Sequence, residues 1–221
     1  MTGKKQSSRL STRLSTRRSI MTKILRYELC PDLSGKSIHE VFKMLDPYTH
    51  SHSCRISLMA VLIAKHMGIS DADELRTIRN GTLYHDIGKI FIPSKILDKP
   101  EPLTKSEYDI IKNHPALSLK ITRYYTELED LSKIILQHHE FWDGTGYPLG
   151  LKGRKICLGA RICCVADSFD AMRSDRNYSK KKSFPRVAEE INRCSGHKYD
   201  PSVVEAFNRC SEKLDRITRG R

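Results

Sequence analysis

Between residues 53 and 67 the apolar side chains Ile56, Met59, Ala60, Ile63 and Ala64 recur at intervals of three and four, and Gly68 follows as a stop. This period constrains the fold more than any other feature, because it recurs along the chain while no sustained two-residue alternation demands a sheet. An all-α fold is therefore expected. A second helix is expected over 70–86, opening at Ser70 with Asp71, Asp73 and Glu74 placed to complement its N-terminus. A third is expected from Thr104, whose spacing to Glu107 suits a capping box, to His114, where Pro115 disfavours a helical residue before it. Further helices are expected over 128–140, 160–172, 185–194 and 201–214. The segment 141–158, with four glycines and one proline, is left as the one long loop, and such loops are often functional.

The chain of 221 residues suits one domain with an extension. No apolar run approaches the ~18 residues of a membrane-spanning helix. The basic N-terminus leads into polar sequence, unlike a signal peptide, so a cytoplasmic protein is expected. Seven cysteines form no CxxC pair and sit mostly in apolar stretches, which reads as reduced, buried thiols rather than a disulfide scaffold.

Residues 1–26 hold eight Lys or Arg and no acid; subtracting them from the net charge of +13 leaves +5 for the remainder. Self-repulsion and low apolar content predict a disordered tail. Nonspecific contact with nucleic acid or an anionic membrane is one reading of it. A solvated, idle extension is another, and its composition also resembles a transit peptide.

Among nine histidines, the informative ones stand beside acids or on helix faces: His52, His85 with Asp86, His114, and His138 with His139 and Glu140, to which Asp167 adds a carboxylate. Imidazole and carboxylate together suit first-row transition metals, and a carboxylate can bridge two ions. On a helix, His138 and His139 would point about 100° apart, so both serve one site only if that face turns toward it. Lys89 follows the His85-Asp86 pair at three residues, with Gly88 between to let the backbone come close to a neighbour.

The strings HSCR at 52–55, HDIGK at 85–89, IPSKILDKPEPLT at 92–104, HP at 114–115, HHEFWDGTGYP at 138–148, GARICCVADSFDAMRSDRNY at 159–178 and GHKYDP at 196–201 resemble, in order and spacing, the HD-GYP subgroup of HD-domain phosphohydrolases. The resemblance covers about 46–207. It implies a helical HD-domain bundle and a bacterial metal-dependent phosphodiesterase that opens cyclic di-GMP to linear pGpG, with GMP as a further product left open. It implies His52, His85, Asp86, His114, His138, His139 and Asp167 as metal ligands, with Asp86 bridging and iron or manganese as the ions. The family's third-metal position, a glutamate four residues before the first histidine, is Tyr48 here, so two divalent ions are expected. Asp86 and Lys89 are the expected catalytic residues. Arg176, Lys180, Gly144, Tyr147 and Pro148 are the expected substrate contacts, with Lys180 standing in for a basic residue absent at Ser179. The glycine-tyrosine-proline loop implies contact with a GGDEF-domain diguanylate cyclase as a partner. The resulting division is a basic tail (1–26), a lead segment (27–45), the catalytic domain (46–214) and a C-terminal tail (215–221), with regulatory input coming from elsewhere. The alternatives are a catalytically weak HD-GYP adaptor and an HD hydrolase of another nucleotide.

Overall fold

The computed structural model describes residues 31–175 and 181–219. The expected basic tail and the expected substrate contacts Arg176 and Lys180 lie outside the described residues. Residues 35–221 form one compact unit, and the description below concerns it. Among the described residues the secondary structure is helical, with a single isolated bridge between Ser195 and Tyr199. No helix there is long and apolar enough to cross a membrane.

A short helix, α1 (Ile38–Phe42), opens with a capping box between Ser37 and Glu40 and buries Ile38, Val41 and Phe42. Part of the expected lead segment is thus packed structure. The long helix α2 (Pro47–His66) begins six residues before the expected position. Asp46 explains this, since its carboxylate accepts the Thr49 amide at 2.9 Å and Pro47 supplies a backbone angle already suited to the first turn. The next helix, α3 (Ala72–Leu83), is capped by Asp71 rather than Ser70 and stops before the His-Asp pair, where the chain tightens into a 3-10 turn at Ile87–Phe91.

After α4 (Ser94–Leu97), the Thr104–Glu107 capping box opens α5 (Lys105–Ile111) as the sequence predicts. Pro115 does not merely end a helix: it occupies the first turn of an additional one, α6 (His114–Thr122), where a missing amide proton costs nothing. The stretch expected as one helix over 128–140 divides into a 3-10 turn at Thr126–Leu131 and α7 (Ser132–Gln137), which ends before His138. Then come α8 (Leu158–Arg173), α9 (Phe184–Arg193) and α10 (Pro201–Arg219). The last runs five residues past the expected boundary at 214. The reason is Asp215, which is buried and accepts from Arg173 Nε at 2.9 Å and Arg219 Nε at 2.7 Å.

Three long helices carry the core. Ile56, Met59 and Ile63 of α2 meet Ile162, Val165 and Phe169 of α8 and Val203, Phe207 and Leu214 of α10, all buried. The Phe169 and Phe207 rings pack edge to face at 5.4 Å between centroids. Each such side chain contributes roughly 1.5–3 kcal/mol on leaving water. The α2–α8 contact also sets the site, because it holds His52 of α2 opposite Asp167 of α8.

Candidate metal centre

His85, His114 and His138 share one local device. Each stands at or just beyond a helix end, and each donates its Nδ1 proton to the carbonyl three residues back: His85 to Thr82, His114 to Ile111 and His138 to Ile135, all at 2.7 Å. A carbonyl only accepts, so each Nδ1 must carry the proton in the neutral ring, and each Nε2 is then a lone pair facing inward. The last carbonyls of α3, α5 and α7 gain donors that their helices cannot supply. This corrects the expectation that His138 and His139 sit on a helix. Both follow the end of α7, and their rings lie 4.2 Å apart.

The three rings converge with Asp86. His114 Nε2 lies 3.0 Å from His138 Nε2 and 3.1 Å from Asp86 Oδ1, while His85 Nε2 lies 3.2 Å from Asp86 Oδ2. Two lone pairs at 3.0 Å repel. Asp86 Oδ1 is also buried without a hydrogen-bond donor, since the imidazole nitrogen beside it offers none. Such a cluster of acceptors is satisfied by cations, and the donor set of imidazole and carboxylate fits divalent transition metals. Three groups have donor atoms within 4.8 Å of one another: His114, His138 and His139; His85, Asp86 and His138; and His52, His85 and Asp167. Asp86 lies between, with one oxygen toward His114 and the other toward His85.

His52 is held differently. Its Nδ1 donates to Asp170 Oδ2 at 2.6 Å, and its Nε2 faces Asp167 Oδ1 at 3.0 Å. Asp170 is buried and also accepts Arg55 Nε at 2.7 Å and Nη2 at 2.8 Å. Burial opposes its charge, yet Arg55 and His52 hold its carboxyl down at about 2. Burial likewise opposes an imidazolium at His52, but Asp167 and Asp170 raise its pKa above the ordinary value. Without an ion His52 is thus a proton store between two carboxylates. Burial and the neighbouring imidazoles push His138 far below its ordinary value, and burial with His114 takes His139 down to about 3. Burial opposes the charge on Asp86, yet the Lys89 ammonium group beside it keeps its carboxyl well below the ordinary value.

Neither Asp170 nor Arg55 was singled out in the sequence. Each stands three residues after an expected ligand, Asp170 after Asp167 and Arg55 after His52, and that spacing on one helix face was the available signal. Glu140, named in the sequence only as an acid beside His139, has a structural role. Its buried carboxylate accepts the amides of Leu149 at 2.5 Å, Gly150 at 3.2 Å and Leu151 at 2.9 Å, and so folds the long loop back on itself. Gly146 permits this, for a Cβ there would lie 2.5 Å from His139 O and 2.3 Å from Phe141 N. Gly88 meets the expectation of a close approach: a Cβ would lie 2.4 Å from His114 O, and its amide donates to Ser118 Oγ at 2.8 Å.

The cluster opens into a cleft of about 510 Å³ lined by His52, Asp86, Lys89, His114, His139 and Asp167 among others, within the range of small-ligand sites. Lys89 Nζ bonds Asp86 Oδ2 at 2.7 Å. Tyr48 lines the cleft with its ring stacked 5.8 Å from that of His52, so no carboxylate comes from this position. Of the expected loop contacts only Tyr147 reaches the wall, its ring stacked 4.8 Å from His139. Gly144 and Pro148 are not on that wall; Gly144 turns the loop at φ +86°, its amide donating to Phe141 O at 2.8 Å.

Comparison with known proteins agrees with this architecture. The HD domain family model matches residues 37–203. A cyclic di-GMP phosphodiesterase of Thermotoga maritima is 42% identical over 168 residues, covering 73% of this chain and 45% of that protein. The 3'3'-cGAMP-specific phosphodiesterase 3 of Vibrio cholerae is 41% identical over 132 residues, covering 60% of this chain and 28% of that protein. The cyclic di-GMP phosphodiesterase response regulator RpfG of Xanthomonas campestris is 37% identical over 165 residues, covering 74% and 43%. This chain therefore spans less than half the length of these relatives. Among solved structures, Bd1817, an HDG"Y"P protein from Bdellovibrio bacteriovorus, matches with a TM-score of 0.61 at 20% identity over 78% of this chain and 53% of that one. With its family model, helical bundle and motif set in agreement, this chain belongs to the HD-domain family and carries the HD-GYP motifs.

Proposed function

We propose that this chain is a metal-dependent phosphodiesterase that hydrolyses cyclic di-GMP to linear pGpG. The observation that carries the reading is the inward convergence of imidazole Nε2 atoms on a buried carboxylate whose Oδ1 has no hydrogen-bond partner, at the floor of a cleft large enough for a nucleotide. Relatives bearing the names of cyclic dinucleotide phosphodiesterases support the substrate class.

Two divalent ions, iron or manganese, are the proposed cofactors. His114, His138 and His139 would hold one, His52, His85 and Asp167 the other, and Asp86 would reach both. When bound, they supply Lewis acidity and a supply of hydroxide near neutral pH. The protein does the rest. The carbonyl bonds of His85, His114 and His138, and Asp170 beneath His52, fix each ring so that no reorganisation accompanies the reaction. Lys89 holds Asp86 and presents its ammonium group to the cleft, where negative charge develops on the phosphoryl oxygens. Burial pushes the Tyr147 phenol above its ordinary value, so it lines the cleft as a protonated donor. Arg176 and Lys180 remain proposed phosphate contacts. A diguanylate cyclase remains a proposed partner of this loop, on which Leu149 is exposed.

The relative specific for 3'3'-cGAMP supports a second substrate reading. The test is hydrolysis of cyclic di-GMP and 3'3'-cGAMP side by side by protein purified anaerobically and loaded with iron or manganese, with products separated chromatographically. The expected result is pGpG from cyclic di-GMP at the higher kcat/KM, abolished in Asp86→Ala. Preference for the hybrid dinucleotide would move the assignment to that substrate, and no turnover of either would leave the adaptor reading.

A further inference from the structure

The cleft wall described here contains three lysines, and two already face carboxylates: Lys89 pairs with Asp86 at 2.7 Å, and Lys99 bonds Glu107 Oε2 at 2.8 Å. Lys198 is different. It is half-buried, and its Nζ lies 5.1 Å from the centroid of the Phe141 ring and 5.2 Å from that of Tyr199. No carboxylate pairs with it among the described residues, because the nearby Asp200 is taken by Arg161. The two rings hold the ammonium group by its attraction to their faces, which orients a charge without neutralising it.

Its place is fixed by the same elements that build the metal cluster. Phe141 follows His139 by two residues, and Tyr199 shares a hydrogen bond with Ser168, the neighbour of Asp167. The Lys198 carbonyl accepts the Trp142 amide at 3.1 Å, which ties residues 141–142 to 198–199. A cation half-withdrawn from water, on the wall of a cleft and with no carboxylate partner among the described residues, is suited to an anionic ligand.

We infer that Lys198 is a specificity-determining residue that binds the second phosphate of a cyclic dinucleotide while the first lies over the metal cluster. The inference rests on the phosphodiesterase reading above. A substrate with one phosphodiester has no group for this site, so Lys198 selects dinucleotides without taking part in bond cleavage. The alternative is that its methylene stem merely covers the two rings.

Lys198→Met keeps the stem and removes the charge, Lys198→Gln offers a polar control should the first fold poorly, and Lys198→Arg keeps the charge. Thermal midpoints and kcat and KM would be measured for each, on cyclic di-GMP and on bis-p-nitrophenyl phosphate. For Lys198→Met and Lys198→Gln the expected result is a roughly tenfold to hundredfold rise in KM for cyclic di-GMP. Their kcat should change little, bis-p-nitrophenyl phosphate should be hydrolysed at the parent rate, and melting should stay within about 2 °C of the parent. Lys198→Arg should recover most of the loss. Equal losses on both substrates, or an unchanged KM, would overturn the assignment of Lys198 while leaving the enzyme reading intact. If the parent hydrolyses bis-p-nitrophenyl phosphate but not cyclic di-GMP, the substrate reading fails and the inference with it.

Discussion

Asp170→Asn perturbs one oxygen and leaves the shape of the site unchanged. The native carboxylate accepts from His52 Nδ1 at 2.6 Å, from Arg55 Nε and Nη2 at 2.7 and 2.8 Å, and from Ser174 Oγ at 3.3 Å. Its pKa falls from 3.8 to about 2 in the folded state although burial opposes the charge. At 1.36 kcal/mol per unit, the fold therefore prefers the carboxylate over a neutral group by about 2 kcal/mol. Asparagine imitates the neutral group, so a loss of about 2 kcal/mol is expected, or roughly 4–8 °C in Tm for a domain of this size. A second effect is chemical. If the amide NH2 turns toward His52, Nδ1 must become the acceptor and the neutral ring carries its proton on Nε2, the nitrogen that would otherwise be open to an ion. Loss of such a supporting contact typically weakens metal binding ten- to a hundredfold. Differential scanning calorimetry of the metal-free protein and chelator competition for Mn²⁺ measure the two effects separately. A Tm within 1 °C of the parent together with unchanged affinity would refute the role given to Asp170.

Asp86→Ala should lose both turnover and most bound metal, whereas Lys89→Ala should retain metal and lose rate, with elemental analysis and kcat reporting the difference. The metal-free protein should lose stability as pH falls from about 6.5 toward 3, because His139, at about 3 in the fold, takes up its proton only on unfolding; melting temperatures across that range check the slope. Gly146→Ala should misplace the loop bearing Tyr147, since its Cβ would lie 2.3 Å from Phe141 N, and the outcome is a drop in kcat/KM and a cost of about 1–3 kcal/mol in urea unfolding. Deleting residues 1–26 should leave folding and activity on soluble substrate unchanged, as circular dichroism and kinetics would report.

The reach of the sequence can be argued from single residues. Gly88 and the Thr104 cap are local matters, one of backbone space and one of a three-residue spacing, and both read directly. The seven expected ligands drew attention through residue type and the quoted motifs, and the fold gathers them from α2, three helix ends and α8. What could not be read was mostly tertiary. His52 and Asp170 are 118 positions apart, and only the packing of α2 on α8 makes them partners. The carbonyl bonds that orient His85, His114 and His138 depend on where helices stop, and all three ends fall three residues earlier than expected, at Leu83, Ile111 and Gln137. The additional helix α6 escaped because Pro115 reads equally as a stop and as a first-turn residue. Glu140 closes the helix expected over 128–140, whereas its burial under three loop amides emerges only once residues 149–151 fold back.

The central claim is that the converging imidazoles and Asp86 form a two-ion phosphodiesterase site. Titrating metal-free protein with Mn²⁺ under anaerobic conditions, while following bound metal and the rate of cyclic di-GMP hydrolysis together, tests it most directly. The account predicts saturation at about two ions per chain, with activity appearing as the second binds and neither property surviving in Asp86→Ala. Full activity at one ion, a third ion required for turnover, or tight binding of two ions without hydrolysis of any cyclic dinucleotide would contradict it.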